Sequence, residues 1–189
     1  MSPGASDGAG GGVLAGTVVV ATARLALVAL APAALAAVRS GVRAVLPDVR
    51  AWAPDYPTDG DVLLAGLALG PGPLATTDAP WGLLQVRVLA PDGPGVAVGG
   101  IGFKTPPVDG EAEVGYGLAA SARGQGLMTE AVGGMLAVAR RHGLVAVTAH
   151  TDPSNGPSIR LLERNGFTPS GRGPAGGPDA GLLRWRREV

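Results

Sequence analysis

Residues 111–142 read EAEVGYGLAASARGQGLMTEAVGGMLAVARRH, and this stretch decides the fold. In its first part Val114, Tyr116 and Leu118 alternate with Glu113, Gly115 and Gly117, the period of a half-buried strand. The turn Arg123-Gly124-Gln125-Gly126 follows. From Met128 onward Ala131, Val132, Met135 and Ala139 recur at three- and four-residue spacing, which predicts one apolar helical face. A glycine turn that feeds a helix start suits an anion. The first helical N–H groups lack partners within the helix, and the helix dipole favours negative charge there. Without a Cβ, Gly124 and Gly126 allow a diphosphate to approach the backbone closely. On the pattern alone an ordinary strand-to-helix turn stands beside that reading. No G-x-x-x-x-G-K-[ST] occurs and Lys104 is the only lysine, which weighs against a P-loop. No G-x-G-x-x-G opens a βαβ unit, which weighs against a dinucleotide.

Arg123-Gly124-Gln125-Gly126-Leu127-Met128 resembles the [Q/R]-x-x-G-x-[G/A] acetyl-CoA loop of the GNAT superfamily of N-acetyltransferases. Met128 departs from it, standing where Gly or Ala is usual. Downstream, Asn155-Gly-Pro-Ser158-Ile-Arg-Leu161-Leu162-Glu-Arg-Asn-Gly166-Phe167 is similar to the N-x-x-S-x-x-[L/V]-[L/Y]-x-x-x-G-F segment of the RimJ/RimL-like branch. The two motifs occur in the family's order, and the resemblance runs from Thr22 to Arg187. It implies an α/β (α+β) fold with a mixed, mostly antiparallel sheet of about seven strands flanked by about four helices. The sheet would splay between its fourth and fifth strands.

Composition sets the bounds. The 189 residues suit one domain over residues 15–189, after a Gly/Ala/Ser-rich tail over 1–14 that is expected to be disordered. Formal net charge is zero and charged residues make up 16%, so no basic patch argues for nucleic acid. Cysteine is absent, which excludes disulfides, thiolate metal sites and a Cys nucleophile. His142 and His150 are the only histidines, and no metal site is expected. The apolar run Leu25–Val38 contains Pro32, lies between Arg24 and Arg39, and falls short of the roughly 20 residues a spanning helix needs. Nothing before Arg24 is basic, against a signal peptide. A cytoplasmic protein with no membrane partner is expected.

Along the chain, a first strand is predicted over Thr22–Leu30 and a helix over Pro32–Ser40, with Pro32 in its first turn. Thr58 and Asp61 form a capping box, with Asp in place of Glu, for a short helix through Leu69. Gly70 to Pro80 reads as a loop. Leu84–Val88 and Val96–Phe103 read as an antiparallel pair, with Gly99, Gly100 and Gly102 marking a bulge or a tight crossing. Val145–Thr151 is a short strand. A helix then starts near Pro157 and stops at Gly166, before strands near Phe167–Gly171 and Leu182–Trp185.

Site residues follow from the resemblance. Tyr116, Gly117 and Leu118 would pair through the backbone with the pantetheine arm, like an added strand. Arg123, Gly124, Gln125, Gly126, Leu127 and Met128 would hold the diphosphate of acetyl-CoA, with Asn155 on the arm. Transfer of acetyl to an amine would be direct, with Glu113 as the base that takes the amine proton and His150 as the second candidate. For Glu111 and Glu113, a solvated strand face balanced by arginines is the competing reading. Ser158 is a candidate proton donor to the departing thiolate, or a first-turn residue behind an Asn155 N-cap. Trp52, Asp55 and Tyr56, between the first two helices, are candidates to receive a cationic amine of a protein N-terminus or a small molecule. Related chains frequently dimerise, but no segment here identifies an interface. The competing function is a non-catalytic acyl-CoA-binding module that recognises a protein partner, which the bulk of Met128 favours slightly.

Overall fold

The β-branched run Thr17–Val20 and the apolar run Leu25–Leu30 form two strands of a hairpin, where the sequence predicted one strand over 22–30. Thr22 makes the turn: its N–H donates to the Leu25 carbonyl at 2.9 Å, and the Leu25 N–H donates back to Thr22 Oγ1 at 3.1 Å. A side chain that closes a turn on its own backbone competes with the sheet ladder, and here the turn wins. The computed structural model describes residues 16–41, 51–71, 79–91, 93–177 and 179–189. The tail expected over 1–14 and most of the loop expected over 70–80 lie outside the described residues.

The elements run β1 (Gly16–Ala21), β2 (Leu25–Leu30), α1 (Pro32–Ser40), α2 (Asp59–Leu69), β3 (Leu84–Ala90), β4 (Gly93–Phe103), β5 (Glu111–Leu118), α3 (Leu127–Arg141), β6 (Ala146–Thr151), α4 (Gly156–Arg164), β7 (Thr168–Arg172) and β8 (Leu183–Glu188). Thr58 and Asp61 form the expected capping box on α2, with Thr58 N–H donating to Asp61 Oδ2 at 2.8 Å. Gly41 closes α1 in the left-handed conformation, φ 64°.

One sheet carries the fold, ordered β1-β2-β3-β4-β5-β6-β8-β7. It is antiparallel throughout except between β5 and β6. That parallel pair is short: only Glu111, Ala112 and Glu113 find partners, in Ala146, Val147 and Thr148. Beyond Glu113 the strands part, which is the expected splay, its strand numbers shifted by one because of β1. The glycines of β4 explain both readings of that segment. Register passes from Val86↔Gly99 to Arg87↔Ala97, leaving Val98 as the extra residue of a bulge. Close packing occurs as well, since a Cβ at Gly102 would lie 1.7 Å from the Gly82 carbonyl oxygen.

α3 packs its predicted face against the sheet. Ala131, Val132, Met135 and Ala139 are buried together with Leu136 and Val138. Each large apolar side chain so buried contributes about 1.5–3 kcal/mol relative to exposure. That anchorage fixes the N-terminus of α3 at the mouth of the fork.

Candidate active site

The fork between β5 and β6 opens into a cleft of about 820 Å³. Its walls are Gly60 and Leu64 of α2, the 114–118 edge of β5, the bend before α3, and Asn155, Ser158, Arg160 and Arg164 on or beside α4. Arg123, Gly124 and Gly126 line one end of this cleft, and Lys104 and His150 also face into it.

The bend has the conformation its glycines permit. Gly124 has φ 77° and Gly126 φ 73°, a region that L side chains rarely adopt. Gly126 is the N-cap of α3 and no side chain caps the helix. The N–H groups of Leu127, Met128 and Thr129 therefore stand at a helix start without intrahelical partners. A second strand pair holds the bend in place. Glu130, in the first turn of α3, accepts from Thr22 Oγ1 at 2.6 Å, Arg24 N–H at 2.8 Å and Arg24 Nε at 2.7 Å. Arg24 Nη1 also donates to the Gln125 carbonyl at 3.0 Å, so the β1–β2 turn grips the bend directly. Burial would raise the Glu130 carboxyl, but the donors of Thr22 and Arg24 outweigh it and hold it below the usual range. Met128 is only 5% exposed and packs in the core, and it also lines the cleft.

On β5 the register sorts the backbone. Lys104 N–H donates to the Glu113 carbonyl at 2.8 Å and Ala119 N–H to the Val98 carbonyl at 2.9 Å. Alternation along an antiparallel pair then turns the polar groups of Gly115 and Gly117 toward β4, and those of Val114, Tyr116 and Leu118 toward the fork. Of the three residues expected at the free edge, Gly117 offers no backbone partner there; it contributes space. The Leu118 carbonyl accepts from Arg123 Nε at 3.1 Å.

Two hydroxyls meet across the cleft. Tyr116 Oη and Ser158 Oγ are 2.8 Å apart. Burial raises the Tyr116 hydroxyl above the ordinary phenol range, with Ser158 offsetting part of the rise, so the phenol is a proton-bearing group. Asn155 Oδ1 accepts from Ser158 N–H at 3.2 Å, so Asn155 is an N-cap that aims α4 at the cleft.

Charge gathers where the strands part. Glu113 pairs with Lys104 Nζ, and His150 Nδ1 lies 3.0 Å from the same Glu113 Oε1. Asp179 Oδ2 is 3.9 Å from His150 Nδ1. The His150 side chain is 10% exposed, and neither ring nitrogen makes an aligned hydrogen bond. Glu113, His150 and Asp179 offer ligand atoms within 4.8 Å of one another, yet the Lys104 ammonium already occupies the position a cation would take on Glu113. Glu111 pairs with Arg184 at 3.2 Å and Arg186 at 2.9 Å on the arginine-balanced face, whereas Glu113 lies with the cleft groups.

The structure does not bring Trp52, Asp55 and Tyr56 into the cleft. Trp52 and Tyr56 pack in the core with ring centroids 4.9 Å apart and planes tilted by 52°, and both are buried, because the segment before α2 folds against β3 and β4. Tyr56 accepts from Gln85 Nε2 at 3.3 Å. Asp55 accepts from the Ser121 N–H at 3.0 Å and from its hydroxyl, so it braces the 3-10 turn Ala120–Ala122 ahead of the bend. Sequence reasoning passed over Lys104, Asp179 and the Thr22–Arg24–Glu130 cluster. Being the only lysine was a usable signal for Lys104; the other contacts join residues far apart in the chain.

A family model described as the acetyltransferase (GNAT) domain matches residues 24–168. Among solved structures, the fold is similar to an acetyltransferase from Agrobacterium tumefaciens (TM-score 0.59, 23% identity, 95% of this chain and 100% of that one). It is also similar to the ribosomal L7/L12 α-N-protein acetyltransferase RimL in complex with coenzyme A (TM-score 0.60, 18% identity, 92% and 98% covered). A third is the microcin C7 self-immunity acetyltransferase MccE in complex with acetyl-CoA and AMP (TM-score 0.59, 14% identity, 89% and 94% covered). No curated protein matches the chain in sequence.

Proposed function

Because the chain belongs to the acetyltransferase (GNAT) family, we propose that it transfers acetyl from acetyl-CoA directly to a primary amine. The observation that carries this reading is the meeting of the β5–β6 fork with the uncapped, glycine-turned N-terminus of α3. Helix-start amides of Leu127 to Thr129 take the diphosphate, and Arg123, Arg160 and Arg164 add positive charge along the same cleft. The pantetheine arm lies along the open edge at Tyr116. Its thioester end then falls between Glu113 and the Tyr116–Ser158 pair.

An incoming ammonium takes the place of Lys104 Nζ on Glu113 and loses a proton to that carboxylate or, through it, to His150. Tyr116 and Ser158 deliver a proton to the departing thiolate. Alignment of the two substrates supplies at most about 7–11 kcal/mol of the barrier reduction. Proton removal adds a factor of about 10²–10⁴. The ribosomal-protein acetyltransferases of like fold support a protein α-amine as acceptor. Residues 15–189 act as one domain in this reading. A cytoplasmic location is part of this proposal; separately, among the described residues no helix is long and apolar enough to cross a membrane.

The test is thiol release from acetyl-CoA across a panel of peptides with free N-termini, polyamines and aminoglycosides. Amine-dependent release, strongest with a peptide, is expected. Tight coenzyme A binding with no release for any amine overturns the reading in favour of a binding module.

A further inference from the structure

Lys104 is the only lysine in the chain, and its position is unusual. It follows β4 and lies opposite Glu113, joined through the backbone. Its side chain runs across Gly115, where a Cβ would come within 3.3 Å of Lys104 Cε and 3.6 Å of Cγ. A Cβ there would make the lysine side chain shift by a few tenths of an ångström. Its ammonium contacts the Glu113 carboxylate beside His150, and the side chain is 32% exposed, toward the cleft. Thus a primary amine of the protein itself sits on the group assigned as base, three positions along β5 from Tyr116.

We propose that Lys104 is an acetylation site of the protein's own making: with acetyl-CoA bound and no acceptor present, the enzyme acetylates Lys104 in cis. This rests on the acetyltransferase reading above. Glu113 accepts one proton from the Lys104 ammonium. The freed Nζ attacks the thioester carbonyl carbon, an N–C bond forms and the C–S bond breaks, and the bonding pair leaves with sulfur. The nitrogen loses its second proton as the amide forms, and the thiolate is protonated. One acetyl thioester and one lysine ammonium thus give one acetyl-lysine, one free thiol and one proton. The product loses its charge, so Glu113 is left without its internal cation and an acetamide lies over Gly115. An external ammonium that reaches Glu113 first displaces Lys104 and prevents the reaction, so acceptor supply governs the modification.

The full-length protein is incubated with acetyl-CoA alone and followed by intact mass and peptide mapping. The expected result is one acetyl group on Lys104, formed with a first-order rate that does not depend on protein concentration. Lys104→Arg abolishes that increment, and Glu113→Gln slows it by a factor of about 10² or more. Adding an amine that the enzyme turns over slows it too. Lys104 unmodified in protein that binds acetyl-CoA overturns the proposal, as does equal modification in Glu113→Gln, which is plain chemical acetylation. Thiol release with an external amine, measured on the same sample, keeps the two readings apart. Release without Lys104 acetylation leaves the acetyltransferase reading standing and removes this one.

Discussion

His150 Nδ1 lies 3.0 Å from Glu113 Oε1, the oxygen that also meets Lys104 Nζ. Three chain segments bring these groups together beside the last paired position of β5 and β6, so this charged cluster sits where the sheet opens. In the proposed reaction this carboxylate is the group that takes the amine proton.

Glu113→Gln keeps the shape of this cluster and removes its basicity. kcat should fall by a factor of about 10²–10⁴, while the KM for acetyl-CoA changes little, because the bend lies at the other end of the cleft. Steady-state kinetics at saturating amine checks this. Unchanged kcat removes Glu113 from the mechanism.

Gly126→Val places a β-branched residue at φ 73°, and Gly124→Val does so at φ 77° with no neighbour crowding its Cβ. The bend must then shift its amides. Coenzyme A affinity should drop at least about tenfold, or roughly 1.4 kcal/mol, by calorimetry, with the thermal midpoint reduced far less in proportion.

The central strand, bend and helix were legible in the sequence because period-two and helical patterns meet at a glycine turn, and local chemistry decides each. α2 was legible through Thr58 and Asp61, which cap it as their spacing requires. The hairpin was not. Thr22 reads as a strand residue by propensity, and only its bonds to Leu25 reveal a turn. In the candidate site, the bend and Ser158 were singled out from motif order and Glu113 and His150 from their strand positions. The structure lines up the bend, Ser158 and His150 along one cleft, with Glu113 beside His150. Trp52 and Tyr56 were misplaced because an aromatic residue in a Pro-rich segment carries no signal that tells core from cleft wall.

Trp52→Ala should accordingly cost stability, about 3–5 kcal/mol for a buried tryptophan, and leave acceptor preference unaltered. Denaturant unfolding and the amine panel measure the two separately. Altered preference at intact stability would restore Trp52 to the acceptor site.

Ser158→Ala should lower kcat by about 10², and Tyr116→Phe should add little to it, since the two hydroxyls act as one donor. A double-mutant cycle on kcat tests this; additive effects separate the pair. The raised Tyr116 hydroxyl stays protonated past the ordinary phenol value of about 10, so it imposes no alkaline loss of activity below that pH.

Glu130 is held below its ordinary range in the folded protein, so its bonds to Thr22 and Arg24 stabilise fully above the unfolded value of about 4.3. That contribution is lost as pH falls through the lower, folded value. Glu130→Gln should destabilise the protein near neutral pH, and the difference from the parent should shrink as the solution is acidified. Thermal unfolding across the acid range reads it directly. A difference that does not vary with pH would assign Glu130 a packing role only.

The most direct measurement of the account is a titration of the isotope-labelled protein with coenzyme A, followed through backbone amide resonances. The largest shifts are expected at Gly124, Gly126, Leu127, Met128 and Thr129, with smaller ones along Tyr116. Saturable binding that leaves those amides unmoved, and shifts a different surface, would contradict it.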